Sequence, residues 1–233
     1  MSFTLRAPLI IAAALCLLPQ SLHAQTTPGA TIAAPLPPDP NTTRLLFAPT
    51  ARMLPRGGGY LGDYEVVMPF VEYGLTDRIS IGGGTPLYFD SSGRPFWITP
   101  KIQILNTPKA KVAVGTMHFA EIGDGSGGMA YAVTTLGEPD ASVTIGAGAP
   151  YVTSGASDDL GPLIVMVGGE RRINGRLKFV TENYVASGGA LFAGGIRIIA
   201  DQLTADIALM VPTHSGSRLV AVPLVNFVWK FGQ

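Results

Sequence analysis

Cysteine, charge and long apolar runs are all scarce in this chain, and each scarcity excludes something. The single cysteine, Cys16, lies in an N-terminal stretch with the features of a cleaved leader. A mature chain without cysteine has no disulfide staple, no thiol nucleophile and no thiolate metal ligand. Charged residues make up 14% of the sequence, against about 25% in an ordinary soluble domain. The charges balance at sixteen basic and sixteen acidic residues, and they form no basic cluster of the kind nucleic acid requires. Beyond the N-terminus no apolar run approaches the roughly 18 residues of a spanning helix. Residues 163–167 are typical, since glycine soon interrupts them. No later stretch carries a helical period, and no metal-ligand spacing occurs, so neither metal nor cofactor is expected.

What is present is hydrophobicity: 47% of residues are apolar, and the mean hydropathy is +0.33. Without a spanning helix, that composition leaves a large dry β-core or a barrel whose outer face meets lipid. The first 24 residues read as a signal peptide. Arg6 supplies the positive start, residues 8–18 the apolar stretch, and Ser21-Leu22-His23-Ala24 the small cleavage residue. Leu15 before Cys16 argues against lipidation. Residues 25–42 contain Pro28, Pro35, Pro37, Pro38 and Pro40, and are expected to form a disordered lead-in.

From residue 43 the texture becomes periodic. Over residues 96–104 the apolar Phe96, Ile98, Ile102 and Ile104 alternate with Trp97, Thr99, Lys101 and Gln103. Residues 141–149, 205–211 and 219–231 alternate in the same way. A strand sends successive side chains to opposite faces, so each segment has one apolar and one mixed face. The connections also alternate. Thr76-Asp77-Arg78, Asn106-Thr107-Pro108, Glu138-Pro139-Asp140, residues 171–176 and Asp201-Gln202 are short and mostly charged. Ser91-Ser92-Gly93, residues 123–128, residues 151–161, Ser187-Gly188-Gly189 and residues 214–217 are mostly rich in glycine and serine. Strict alternation of two connection types is what an up-and-down meander requires. Aromatics such as Phe70, Tyr73, Tyr88, Phe89, Tyr151, Tyr184 and Trp229 cluster near segment ends, where a lipid–water boundary would favour them. The expectation is an all-β, antiparallel up-and-down transmembrane β-barrel over residues 43–233, with about twelve strands (10–12) and short turns on the periplasmic side.

Two motifs also resemble known Gram-negative outer-membrane barrels. The segment Tyr73-Gly74-Leu75-Thr76-Asp77-Arg78-Ile79-Ser80-Ile81-Gly82 is similar to a hairpin common among them. The terminal aromatics Phe227, Trp229 and Phe231 resemble the end of the strand that the barrel-assembly machinery recognises, although Gly232 and Gln233 follow. Residues 47–59, with Pro49-Thr50-Ala51-Arg52, resemble the opening of some uncharacterised porin-like barrels. The resemblance implies outer-membrane lipid and that machinery as partners.

The alternation assigns Asp63, Glu65, Lys101, Gln103, Lys178, Glu182, Arg197, Asp206, Asn226 and Lys230 to the lumen. These could line a selective pore or form a pairing network that fills a narrow barrel. Four acids against four bases favour pairing, because buried charge needs partners. If a tight turn is centred between Asp201 and Gln202, Arg197 faces Asp206 across the hairpin. The function expected is a small channel or a scaffold with exposed loops. The alternatives are a lipid-modifying enzyme on the same fold and a soluble exported β-barrel or sandwich binder. An acyl hydrolase needs serine, histidine and a third polar residue. The mature chain offers only His118 and His214, neither in a pattern of that kind. The mature protein should therefore fractionate with the outer membrane and migrate differently on gels before and after heating. Recovery from the soluble periplasm would contradict the barrel.

Overall fold

The computed structural model describes residues 36–87, 95–122, 125–153, 161–213 and 220–232. Residues 1–35, 88–94, 123–124, 154–160, 214–219 and 233 fall outside that set, and with them the signal peptide, Tyr88, Phe89, Ser91-Ser92-Gly93 and His214.

The alternating segments form strands β1 (Gly59–Tyr64), β2 (Met68–Thr76), β3 (Ile79–Gly84), β4 (Phe96–Ile98), β5 (Lys101–Asn106), β6 (Ala110–Ile122) and β7 (Gly125–Glu138). They continue with β8 (Ala141–Val152), β9 (Ile164–Arg172), β10 (Leu177–Ala186), β11 (Gly189–Ile199), β12 (Leu203–Thr213) and β13 (Val222–Phe231). Every pairing is antiparallel, and β1 pairs with both β2 and β13, which closes the sheet. Strands β4 and β5 are one stave interrupted at Thr99-Pro100, since both pair with β3 and β6. Pro100 has no N–H to give the ladder. Thr99 keeps the stave continuous by exchanging backbone hydrogen bonds with Gly82. The result is a closed twelve-stranded barrel with no unpaired edge.

Burial follows the pleat. In β13, Leu224, Asn226 and Val228 are buried while Phe227 and Trp229 are exposed. In β12, Thr204, Asp206 and Ala208 face inward while Ile207 and Leu209 are more than half exposed. A girdle of exposed isoleucine, leucine, valine and phenylalanine runs around the outside. It is a surface made for hydrocarbon rather than water. Connections of two to four residues join β2–β3, β5–β6, β7–β8, β9–β10 and β11–β12 at the end where β13 finishes. We call this the turn end and the opposite rim the loop end.

The start of the chain differs from the sequence expectation. Strands begin at Gly59, not near residue 43. Residues 36–42 do not all belong to a disordered lead-in, because Asp39 and Asn41 are buried. Residues 36–58 instead enter the barrel and leave again. A narrow hairpin forms within them: Leu45 N–H donates to Ala48 O at 2.8 Å, Thr50 N–H to Thr43 O at 2.9 Å, and Arg44 bridges Pro49. Leu45, Leu46, Ala48 and Ala51 pack on Ala113, Val133, Met166, Val180, Ala193, Ala208 and Leu224, which come from β6, β7 and β9 to β13. Burial stabilises each leucine by roughly 1.5–3 kcal/mol. The wall is cut to fit: a Cβ on Gly168 would lie 2.4 Å from Leu45. As the segment leaves, Gly57 and Gly58 bond to Gly74, whose missing Cβ admits the Pro55 carbonyl. Composition alone marks a proline-rich stretch as disordered, but it cannot register a hydrogen-bonding wall supplied by strands a hundred residues later.

Candidate functional site

The interior is a hydrogen-bonded socket around the hairpin of residues 36–58, hereafter the plug. Its centre is Glu182 on β10. One carboxylate oxygen, Oε2, accepts the backbone N–H groups of Leu46, Phe47 and Ala48, each at 2.9 Å. The other, Oε1, accepts from the Tyr184 hydroxyl at 2.6 Å. Three successive N–H groups converge on one anion only where the chain turns tightly, which the plug tip does.

Arg197 on β11 is the second anchor. Its Nε and Nη2 grip Asp206 on β12 at 2.7 and 2.9 Å. The two residues stand opposite each other in the ladder, in the register that the short Asp201-Gln202 turn implied. The same guanidinium donates from Nη2 to Leu45 O at 2.6 Å and from Nη1 to Asn41 O and Asp39 Oδ2. Lys178 on β10 pairs with Asp39 and also with Glu170 on β9. Burial alone would raise the Asp39 carboxyl, but Arg197 and Lys178 overrule it and hold the pKa down to about 2. Asp39 therefore favours the seated plug at pH above its ordinary value near 4, and that contribution is lost as pH falls toward 2.

The remaining contacts tie the returning limb. Lys101 Nζ donates to Arg52 O at 2.9 Å and more weakly to Thr43 O and Thr50 O. Gln103 Nε2 donates to Ala51 O at 2.6 Å, and Asn226 Nδ2 to Leu46 O at 3.1 Å. Arg52 pairs with Glu170, which also accepts from Ser142 at 3.1 Å. Thr135 accepts from Ala51 N–H at 2.9 Å and contacts Thr144. A backbone that leaves its strand partners must find others inside a protein, and here side chains of the wall serve.

Seven of the ten sequence-assigned residues meet in this socket: Lys101, Gln103, Lys178, Glu182, Arg197, Asp206 and Asn226 are all buried. Lys230 is half-buried and lies opposite Tyr60 near the turn end. Asp63 and Glu65 are corrections. Asp63 shares its face with exposed Leu61 and Phe227, so it points outward. Glu65 sits in the β1–β2 turn with φ 56°, and its Oε1 accepts from Val225 N–H. The inward face of β1 is Tyr60, Gly62 and Tyr64, so the rule that polar residues face the lumen inverts on this strand. The socket also uses Glu170, Glu72, Tyr60, Ser142, Thr135 and Thr144, which sequence reasoning had not singled out. Glu170 was legible in principle, since Met166, Gly168 and Glu170 alternate with exposed Val165, Val167 and Arg171. The terminal aromatics Phe227 and Trp229 are exposed on the outer face, with Phe231 half-buried beside Trp229. His118 faces outward beside Ile98, with Nδ1 3.0 Å from the Tyr151 hydroxyl.

Comparison with known proteins adds to the geometry at this point. Two structures of the KdgM porin, one in complex with a disordered oligogalacturonate, match with TM-scores of 0.57 and 0.56 at 6% identity. Each covers 75% of this chain and 98% of the other. This chain has the porin fold. The NanC porin matches at a TM-score of 0.49 and 10% identity, over 76% of this chain and 99% of that one. No family model and no curated protein matches the sequence. The KdgM chain is matched almost whole, so this porin-like barrel carries a quarter of its length as additional sequence.

The charge network makes a quantitative test possible. Replacing Arg197 by Ala removes five hydrogen bonds and strands Asp206, and should destabilise the barrel by roughly 3–5 kcal/mol in urea unfolding from micelles. Asp206→Ala should cost less, because Arg197 keeps Asp39 and two plug carbonyls. The double mutant should fall short of the sum by roughly 1–3 kcal/mol. Strict additivity would show that the pair does not act as a unit.

Proposed function

We propose that this protein is an outer-membrane channel of the porin type, closed at rest by its own residues 36–58. The observation that carries the reading is the occupied lumen. At mid-height the interior charges that a pore would present to solutes are turned onto the plug. A twelve-stranded barrel stands between the eight-stranded kind that side chains can fill and the sixteen-stranded kind that holds water. Its interior therefore needs either a filling segment or solvent. The wall holds the plug through polar side chains as well as apolar ones, so water can replace the plug's hydrogen bonds when the segment leaves. A purely apolar socket would offer no such route.

Outer-membrane lipid is the partner that the exposed apolar girdle supports, and the outward terminal aromatics support recognition by the barrel-assembly machinery. The short charged turns favour a periplasmic turn end, which puts both plug limbs on the periplasmic side. A transport role rather than a catalytic one agrees with the fold's neighbours, which are porins. The competing reading is a permanently filled scaffold that displays its loops.

Conductance in a planar bilayer separates the two. The refolded full chain should be mostly silent with brief openings, and deletion of residues 36–56 should give a steady current. Glu182→Gln should lie between them, with openings at least several-fold more frequent, because it weakens the charge-assisted bonds at the plug tip. A deletion variant that folds, judged by heat-modifiable migration, yet stays silent would favour the scaffold. A full chain as conductive as the deletion would show that the plug does not close the pore.

A further inference from the structure

Of the five buried cations among the described residues, four have a carboxylate partner. Arg52 pairs with Glu170, Lys101 with Glu72, Lys178 with Asp39 and Glu170, and Arg197 with Asp206 and Asp39. Arg44, on the entering limb of the plug, takes part in none of the described ion pairs. It is 3% exposed. Its Nε donates to Asn41 Oδ1 at 3.1 Å, and neither Nη1 nor Nη2 has a hydrogen-bond partner among the described residues.

Aromatic rings cover the guanidinium. Its carbon lies 4.2 Å from the Phe70 ring centroid, 4.6 Å from Tyr64 and 5.7 Å from Tyr60. Tyr64 stacks between Phe70 and Phe47. Cation–π contact offsets part of the cost of burying this charge. It leaves the in-plane N–H groups of the fork unsatisfied, and those groups match a carboxylate.

A cavity adjoins this group. It gives about 40 Å³ of room to water-sized groups and opens to solvent at its mouth, and Arg44, Phe47, Tyr64, Phe70, Trp97 and Met117 are among its walls. Glu72 also lines it, but that carboxylate is already committed to Tyr60, Ser80 and Lys101. Glu182 is held by the plug's backbone. We propose that this cavity binds a small organic carboxylate with an aromatic or other apolar body. The anion takes the free edge of Arg44, and the body lies against Trp97, Met117 and the ring stack. Inorganic anions gain the charge contact but leave the apolar wall bare.

The site is split between two parts. Arg44 and Phe47 belong to the plug, while Tyr64, Phe70, Trp97 and Met117 belong to the wall. The complete site exists only while the plug is seated, so its ligand stabilises the seated state by mass action. The binding proposal rests on the seated plug alone and holds whether or not the barrel conducts.

Trp97 is a built-in reporter, because the sequence has only two tryptophans and the other, Trp229, is on the outer face. The experiment uses the refolded full chain carrying Trp229→Phe in zwitterionic micelles. Sodium benzoate, benzyl alcohol, acetate and inorganic phosphate are titrated while Trp97 emission is followed. The expected result is a saturable change with benzoate, with half-saturation at least roughly tenfold lower than for the other three probes, as loss of one charge-assisted contact or of the apolar body implies. Arg44→Gln should abolish the benzoate response, and Arg44→Lys should weaken it by keeping the charge without the fork. A benzoate response unchanged in Arg44→Gln would overturn the proposal, as would phosphate or benzyl alcohol equalling benzoate in the unsubstituted site, or no saturation with benzoate. The comparison among probes needs no substitution at Arg44, so it decides the matter even if Arg44→Gln unseats the plug.

Discussion

Glu182 faces the barrel axis, and the described ion pairs include none to it. A carboxylate in that position must be protonated, hydrated or surrounded by donors, because leaving it bare inside a protein costs several kcal/mol. The molecule supplies donors, and the only backbone able to bring three of them together is a tight turn placed at the axis. The form of the plug follows. It must enter and leave at the same end, reach mid-height, and turn between Leu45 and Ala48. Arg197, Lys101, Gln103 and Asn226 then meet the carbonyls that the turn exposes. The wall around the plug holds acids and bases in near balance, and Asp39, Arg44 and Arg52 bring the plug's own charges into that balance. Of the plug's buried cations Arg44 alone takes part in none of the described ion pairs, and it lies beside the cavity.

The outer surface answers a separate constraint. Lipid offers no hydrogen bonds, so the backbone must be satisfied within the sheet, and only closure achieves this for strands. Closure makes every strand two-faced, with hydrocarbon on one side and the socket on the other. That is why Ile207 and Leu209 can alternate with Asp206 and Ala208 on a single strand without conflict.

The two-faced character is what a sequence displays best. Strands β12 and β13 could be assigned residue by residue, and the Arg197–Asp206 pairing came from turn length alone. Strand β1 shows where that reasoning stops. Tyr60 and Tyr64 look like lipid-facing residues and Asp63 like a lumen residue, but the interior here receives the Arg44 cation, so aromatic faces are favoured inward. The plug was harder to see for a related reason. Residues 36–58 have neither strand alternation nor a helical period. Their order comes from partners such as Glu170, Glu182 and Arg197, which are far away in the chain. Local pattern carries information about local conformation, and a segment held by so many hydrogen bonds to distant side chains gives little local signal. Its clues were Arg44 and Arg52 in an otherwise apolar stretch, and a tract around Pro49 and Pro55 that could not join the sheet.

The central claim is that Glu182 pins the plug tip inside the barrel. Amide hydrogen exchange on the refolded full chain tests it most directly. The N–H groups of Leu46, Phe47 and Ala48 should exchange as slowly as those of the strands around them, and Glu182→Gln should speed these three selectively while leaving β10 and β11 protected. Exchange of Leu46, Phe47 and Ala48 at the rate of a free peptide in the unaltered protein would contradict the account.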